Sequence, residues 1–529
     1  MKSLLFLSML FSVKIWAAES LYNDVSFENN QIQLHLNLNH LKSFSSAEMM
    51  PLSQEMVKIE YQDWPSNNEA GKPMLPFQSF ILEGDISQIK VAIEKGSSVA
   101  LKGIPVPQAK YPCRCDKASD EIKWVFNKES YLQEEKFYDV ESIGDFRGKK
   151  LVRISVMPFQ VSGNSTLVYP DLKIKLSGAQ SLQYPLNAKK LLITGPASYQ
   201  SEIQKFIDWK VGFDMMDVKF VPIDGNEQSP AKIKQFFKQA YDQWKYTHVI
   251  ILGDETVVAM DSMKTSSSDV TPSDLPYFLW GGADDTVPDV LFGRFPAKTP
   301  ADITGQVQKI IDYENAVNAG LSIHKSLGIA SDEGSNPSDV EYMESMLNPL
   351  ESIGWASTRV YQGNRTHQNS DIAKAFDAGL GWVNYIGHGS GYSWISVRDQ
   401  EFESKQIADL KSRTDGIYPI VLDVACQNGR LSGDGRLGET FLKSKDQYGY
   451  ATGAVAFYGG TVDISWHPPA VMAVGINQIY KNLKQQDLGT VFFEGQLHLI
   501  KNWRNLTEAV ENWRWYTLSG DPSMKLNSN

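Results

Sequence analysis

The sequence predicts an α/β protein in which a β-rich N-terminal region precedes two α/β subdomains with mainly parallel sheets. Three observations carry this. The 529 residues exceed what one core serves and correspond to roughly three or four folding units. Before about residue 185, apolar and polar residues alternate with the period of half-buried strands. From Lys189 on, short apolar strands alternate with segments of helical spacing, the pattern of a parallel sheet covered on both faces.

Taken in order, Met1-Lys2, the apolar run over residues 4–13 and Ala17-Ala18-Glu19 read as a signal peptide over residues 1–18. No later stretch reaches the roughly 18 apolar residues of a membrane helix, so a secreted protein without stable membrane insertion is expected. Residues 19–185 form the β-rich region. Residues 150–161 and 166–176 alternate on either side of the turn-like Ser162-Gly163-Asn164-Ser165. Residues 186–320 form the first α/β subdomain. Its strands lie at 191–194, 218–223, 248–253 and 289–295, and its helices at 198–212, 230–244 and 300–318. Residues 321–529 form the second. Strands at 326–330, 358–361, 381–385, 419–424 and 453–458 are joined in part by helices at 340–353 and 370–378.

The net charge of −11 argues against a nucleic-acid partner, which needs a basic face. No Gly-rich phosphate loop follows a strand, so nucleotide binding is not expected. Three cysteines, Cys113, Cys115 and Cys426, are too few for a disulfide scaffold and leave a thiol over. Cys113 and Cys115 could bridge only with strain.

Two strand ends stand out. One runs Trp382-Val-Asn-Tyr-Ile-Gly387-His388-Gly389 and the other Ile420-Val-Leu-Asp-Val-Ala425-Cys426-Gln427-Asn428-Gly429. Parallel sheets deliver functional groups at the carboxyl ends of their strands, and neighbouring strands would set thiol beside imidazole. The imidazole generates the thiolate and protonates a leaving amine. The Gly389 and Cys426 N–H groups are the candidate oxyanion donors. Taken singly, a buried Cys at a strand end is a small hydrophobe; the paired pattern is what suggests chemistry.

The segments 384–390 (Asn-Tyr-Ile-Gly-His-Gly-Ser) and 423–429 (Asp-Val-Ala-Cys-Gln-Asn-Gly) resemble the His and Cys motifs of the gingipains, the C25-type peptidases. The likeness runs from residue 189 to about 525 and includes Leu252-Gly253-Asp254, residues 292–295 and 329–333, and the closing 518–523. It implies a caspase-like pair of α/β subdomains and a cysteine endopeptidase acting on protein or peptide substrates, with Cys426 as nucleophile and His388 as general acid/base. Glu333 resembles the acid that orients the imidazole. Asp339 resembles the carboxylate that pairs with a P1 guanidinium, although Ser338-Asp339 is also an ordinary helix cap. Trp466 resembles the aromatic wall of the S1 pocket. The lysine-specific relatives carry an acid after that Trp. This chain has His467-Pro468 instead, which favours Arg.

The N-terminal region, notably residues 71–76, resembles a prodomain that inhibits its own enzyme, which implies a zymogen. Lys189-Lys190 and the basic residues of 172–176 are candidates for the activating cut. No cofactor is needed for the chemistry. The resemblance implies structural calcium, for which Asp284, Asp285 and Asp289 have suitable oxygens. Such acids are ordinarily solvated, and the sequence assigns them no site. A transpeptidase with the same catalytic pair, or an inactive surface-binding protein, are the alternatives.

Overall fold

The computed structural model describes residues 13–14, 25–45, 56–110, 123–132, 136–184, 189–223, 229–321, 324–334, 337–411, 415–482 and 487–526. Of the expected signal peptide only Val13–Lys14 are among them, paired with residues 183–184; Cys113 and Cys115 also lie outside the described residues. The chain divides into two units. One comprises Met1–Ala109, Trp124–Ala188 and Gly281–Val287, the other Lys110–Lys123, Lys189–Trp280 and Pro288–Asn529.

The first unit is built of small, mainly antiparallel sheets. Tyr138–Phe146, Lys149–Val156, Gln78–Gly84 and Ala179–Ser181 form one of them, and Val25–Glu28, Gln31–His35, Asp171–Ser177 and Lys90–Lys95 another. Asp171–Ser177 buries Leu172, Ile174 and Leu176 and turns Asp171, Lys175 and Ser177 outward, the alternation of a sheet with one solvated face. Asp285 belongs here. Its carboxylate accepts the Gly281 N–H at 2.8 Å and the Asp145 N–H at 2.9 Å, so it ties loops together.

The second unit holds one ten-stranded sheet. Its strands are β1 (Lys190–Gly195), β2 (Asp217–Pro222), β3 (His248–Leu252), β4 (Leu291–Phe295), β5 (Lys325–Ala330), β6 (Ala356–Tyr361), β7 (Trp382–Ile386), β8 (Ile420–Val424), β9 (Ala456–Gly460) and β10 (Tyr516–Ser519). Their spatial order is β2-β1-β3-β4-β10-β9-β8-β7-β5-β6. All neighbours are parallel except β10 and β9. The strands on either side of that antiparallel pair therefore run in opposite directions. The carboxyl ends of β5 to β9 gather at one edge of the sheet and those of β1 to β4 at the other. The two halves join through β4 and β10, by the single registered pair Arg294↔Ser519.

Nine helices of the described residues accompany this sheet: α1 (Gln200–Gly212), α2 (Pro230–Trp244), α3 (Pro300–Asn318), α4 (Asp339–Glu351), α5 (Asn369–Asp377), α6 (Leu437–Lys443), α7 (Pro468–Asn482), α8 (Leu488–Asn502) and α9 (Leu506–Trp515). Strand residues alternate between two helix layers, as their period of two requires. Leu327, Ile329, Val383, Tyr385 and Val421 pack with Ile372 and Phe376 of α5 and Leu437 and Phe441 of α6. Between them, Gly328 abuts Met343 and Leu347 of α4, while Trp382 and Asn384 meet Tyr480 and Asn477 of α7. With both faces covered, β5, β7 and β8 carry almost wholly buried side chains, which explains their apolar sequences.

The helices α6 to α9 and strand β10 were not expected from the sequence. Helix α8 is buried along most of its length, so its apolar residues leave no polar face to reveal a helical period.

Candidate active site

Strands β8, β7 and β5 are consecutive neighbours, with Val424 paired to Ile386 and Ile386 to Ala330. Cys426 and His388 each lie two residues past their strand, and Glu333 three past its own. With strands about 4.8 Å apart, the sheet edge presents Cys426, His388 and Glu333 in that order. The chain passes from β5 to β6 on one side and returns to β7 on the other, a topological switch point of the kind where open α/β sheets bind ligands.

Glu333 Oε2 accepts from His388 Nε2 at 2.6 Å. The Glu333 side chain is 40% exposed and that of His388 13%. The imidazole therefore has a carboxylate on Nε2. The His388 main chain is held on both sides. Its N–H donates to Ser396 Oγ at 2.9 Å, and its carbonyl accepts the Tyr385 hydroxyl at 2.6 Å.

The Cys426 thiol is buried, and its Sγ accepts the Ile464 N–H at 3.3 Å. Gln427 follows with φ of 62°, a left-handed conformation that is uncommon for a residue with a side chain. It turns the chain sharply away from the sulfur. The turn is held by Gln427 N–H to Val462 O at 3.1 Å and Gln427 Nε2 to Asp463 Oδ1 at 2.9 Å. Gly389 brings the His388 and Cys426 loops together: a Cβ there would lie 2.4 Å from Cys426 O, a distance only glycine permits. Both candidate oxyanion donors, Gly389 and Cys426, thus belong to one close backbone contact.

Trp466 is buried. Its ring lies edge-on to His388 at 5.9 Å, and its Nε1 would be 2.8 Å from a Cβ at Gly334. Asp339 is fully buried at the first turn of α4. Its Oδ2 accepts the Ser331 hydroxyl at 2.7 Å, and its N–H donates to Glu333 O at 3.0 Å. The capping residue is Ser338, which shares a capping box with Glu341, so the Asp339 carboxylate is not used as the cap. The loop from Ser331 to Asp339 thus carries both the proposed orienting acid and the proposed P1 acid.

Among the described residues no three His, Cys, Asp or Glu side chains group as metal ligands. Of the acids considered from sequence, Asp284 is exposed and Asp285 is engaged with backbone amides. A better pair escaped sequence reading because its members lie far apart in the chain. Asp254 Oδ2 and both carboxylate oxygens of Glu439 are buried without a hydrogen-bond partner. Burial pushes the Glu439 carboxyl up to about 7. Lys443, 3.6 Å away, opposes that rise and the Asp254 charge adds to it. Carboxylate oxygens are the hard donors that calcium takes, although Lys443 already pairs with Glu439 here.

The model of peptidase family C25 matches residues 183–527. Gingipain R2 of Porphyromonas gingivalis is 23% identical in an alignment covering 97% of this chain and 73% of the relative. The crystal structure of the Arg-specific cysteine proteinase gingipain R superposes with a TM-score of 0.55 at 25% identity, covering 64% of this chain and 78% of the other. A complex of Porphyromonas gingivalis RgpB pro- and mature domains gives 0.56 at 23%, covering 63% and 79%. The fold is the one expected, a mainly parallel α/β region with a β-rich N-terminal part.

Proposed function

The chain belongs to peptidase family C25, as a gingipain-type cysteine endopeptidase, and from that premise we propose that it is a secreted zymogen that cleaves after Arg. The observation that carries the catalytic assignment is the 2.6 Å Glu333–His388 bond beside Cys426 on adjoining strand ends. His388 takes the thiol proton, and Sγ, supported by the Ile464 N–H, attacks the scissile carbonyl carbon. The Gly389 and Cys426 amides hold the oxyanion. Glu333 steadies the imidazolium, which gives its proton to the leaving amine as the C–N bond breaks. Water, deprotonated by His388, then cleaves the acyl-enzyme and releases the thiolate.

Arg at P1 is supported by Asp339, a buried carboxylate that can accept two parallel N–H bonds from a guanidinium, by Trp466 as a stacking wall, and by the arginine-specific relative. Latency is supported by the β-rich N-terminal unit, which we take as the prodomain. Secretion is supported by the N-terminal sequence. No helix of the described residues is long and apolar enough to cross a membrane.

An arginyl chloromethylketone, followed by peptide mapping of the processed protein, tests the reading. Alkylation at Cys426 that His388→Ala abolishes is expected, as is loss of proteolysis in Cys426→Ala. Retained proteolysis in Cys426→Ala would sink the assignment. Unchanged kcat/KM for Arg substrates in Asp339→Asn would remove the P1 assignment. Product mass in the presence of an added amine separates hydrolysis from transpeptidation.

A further inference from the structure

The loop carrying His388 is tied to the turn carrying Cys426 by side chains that take no part in the mechanism above. The ladder between β7 and β8 ends near Gly387 N–H to Val424 O at 3.2 Å, one residue short of His388 and two short of Cys426. Past that point the ties come from side chains. Asn428 is fully buried two residues after the nucleophile. Its Oδ1 accepts the Gly391 N–H at 2.9 Å, and its Nδ2 donates to Asp423 Oδ1 at 3.3 Å. The same Asp423 oxygen accepts Trp394 Nε1 at 2.5 Å. Trp394 bridges back to Gly389, so it belongs to the His388 loop. Both ties therefore run from the His388 loop to the segment on which Cys426 sits.

Asp423 is an expensive anchor. It is fully buried, and its Oδ2 has no hydrogen-bond partner. Burial pushes its carboxyl up to about 7, against the hydrogen bonds from Trp394 and Asn428. A buried polar group left partly unsatisfied costs stability, and an apolar residue would fill the site more cheaply. What an apolar residue could not supply is an acceptor aimed at both Trp394 and Asn428.

We propose that Asn428, anchored on Asp423, is a positioning residue that sets the approach of the His388 imidazole to the Cys426 thiol. This rests on the peptidase reading above. The consequence is kinetic, because a misplacement of about 1 Å costs on the order of 100-fold in rate.

The test uses the full chain after processing. Asn428→Ala is expected to lower kcat roughly 10- to 100-fold with KM within about twofold, the split expected when ground-state binding is intact. The pH profile of Cys426 alkylation by iodoacetamide should move toward that of an ordinary thiol, near about 8.5. Asp423→Asn keeps a side-chain oxygen for both donors and should recover most of the rate that Asp423→Ala loses. This pair of variants carries the test should Asn428→Ala not fold. A folded Asn428→Ala with wild-type kcat and alkylation profile overturns the proposal, as does an Asp423→Asn no faster than Asp423→Ala. Wild-type protein inert to both substrate and alkylating probe would instead remove the peptidase reading itself.

Discussion

Replacing Glu333 by Ala isolates one interaction of the proposed catalytic group. The backbone contacts of residue 333 survive, because its N–H still donates to Ser331 Oγ at 3.2 Å and its carbonyl still accepts the Asp339 N–H at 3.0 Å. What is lost is the 2.6 Å bond to His388 Nε2. A hydrogen bond to a charged group contributes roughly 1.5–3 kcal/mol. Because the Glu333 side chain is 40% exposed, solvent screens its charge and the lower part of that range applies, about 1.5–2 kcal/mol. If the bond is fully expressed when the imidazolium forms, kcat/KM should fall about 10- to 30-fold. The assay is hydrolysis of a fluorogenic peptide with Arg at P1 by processed wild type and variant, with circular dichroism to show that both are folded. A folded variant within about twofold of wild type, inside the scatter of ordinary surface substitutions, would show that Glu333 does not hold the imidazolium.

Gly389→Ala should abolish turnover and lower Tm, since its Cβ would lie 2.4 Å from Cys426 O and must push the two buried loops apart; parallel kcat and melting measurements check it, and a folded variant with wild-type kcat would refute it. Calcium should raise Tm, because saturation to 100 times Kd stabilises by about 2.7 kcal/mol. Glu439→Gln should remove that increment, and an equal rise in the variant would take the ion away from Asp254 and Glu439. Acidification should stabilise the fold through Asp423. Its folded-state pKa is raised from 3.8 to about 7, so between those values the native state holds more protons than the unfolded chain, and stability falls as pH rises through about 7. The contribution is on the order of 4 kcal/mol. Urea melts at pH 5 and pH 8 should therefore differ less in Asp423→Asn than in wild type.

The proposed catalytic pair was legible as local patterns: an apolar strand running into a His between glycines, and another running into a Cys followed by a turn. Buried parallel strands write themselves as continuous apolar runs, and β5, β7 and β8 do so. Their side-by-side order leaves no mark in any single strand, because a parallel sheet is ordered by crossovers; that the His388 and Cys426 strands are neighbours was expected from their paired pattern, and β7 does pair with β8. Asn428 and Asp423 sat inside the quoted motif with no role, because their partners, Gly391 and Trp394, lie 37 and 29 residues away and only the folded chain brings them together. Asp254 and Glu439 were separated in the same way. Strand β10 was hidden by its length of four residues, although it is the strand that joins the two halves of the sheet.

The two activation bonds that the basic residues suggested are poor candidates once the sheets are known. Lys190 opens β1, which lies between β2 and β3 rather than at an edge. The Lys190 N–H donates to Thr247 Oγ1 at 3.0 Å, the Lys189 carbonyl accepts the Asp217 N–H at 3.4 Å, and the Lys189 ammonium sits 2.6 Å from buried Asp487. Lys173 and Lys175 lie on Asp171–Ser177, which is paired on both sides by Gln31–His35 and Lys90–Lys95. A peptidase must draw its substrate backbone into an extended, unpaired form, and here that would mean pulling a central strand from its sheet. The activating cut in the folded precursor therefore falls outside both strands. Mapping the mature N-terminus by mass should find no new terminus at Lys190, Leu191, Ile174 or Leu176; finding one there would mean that processing precedes completion of these sheets.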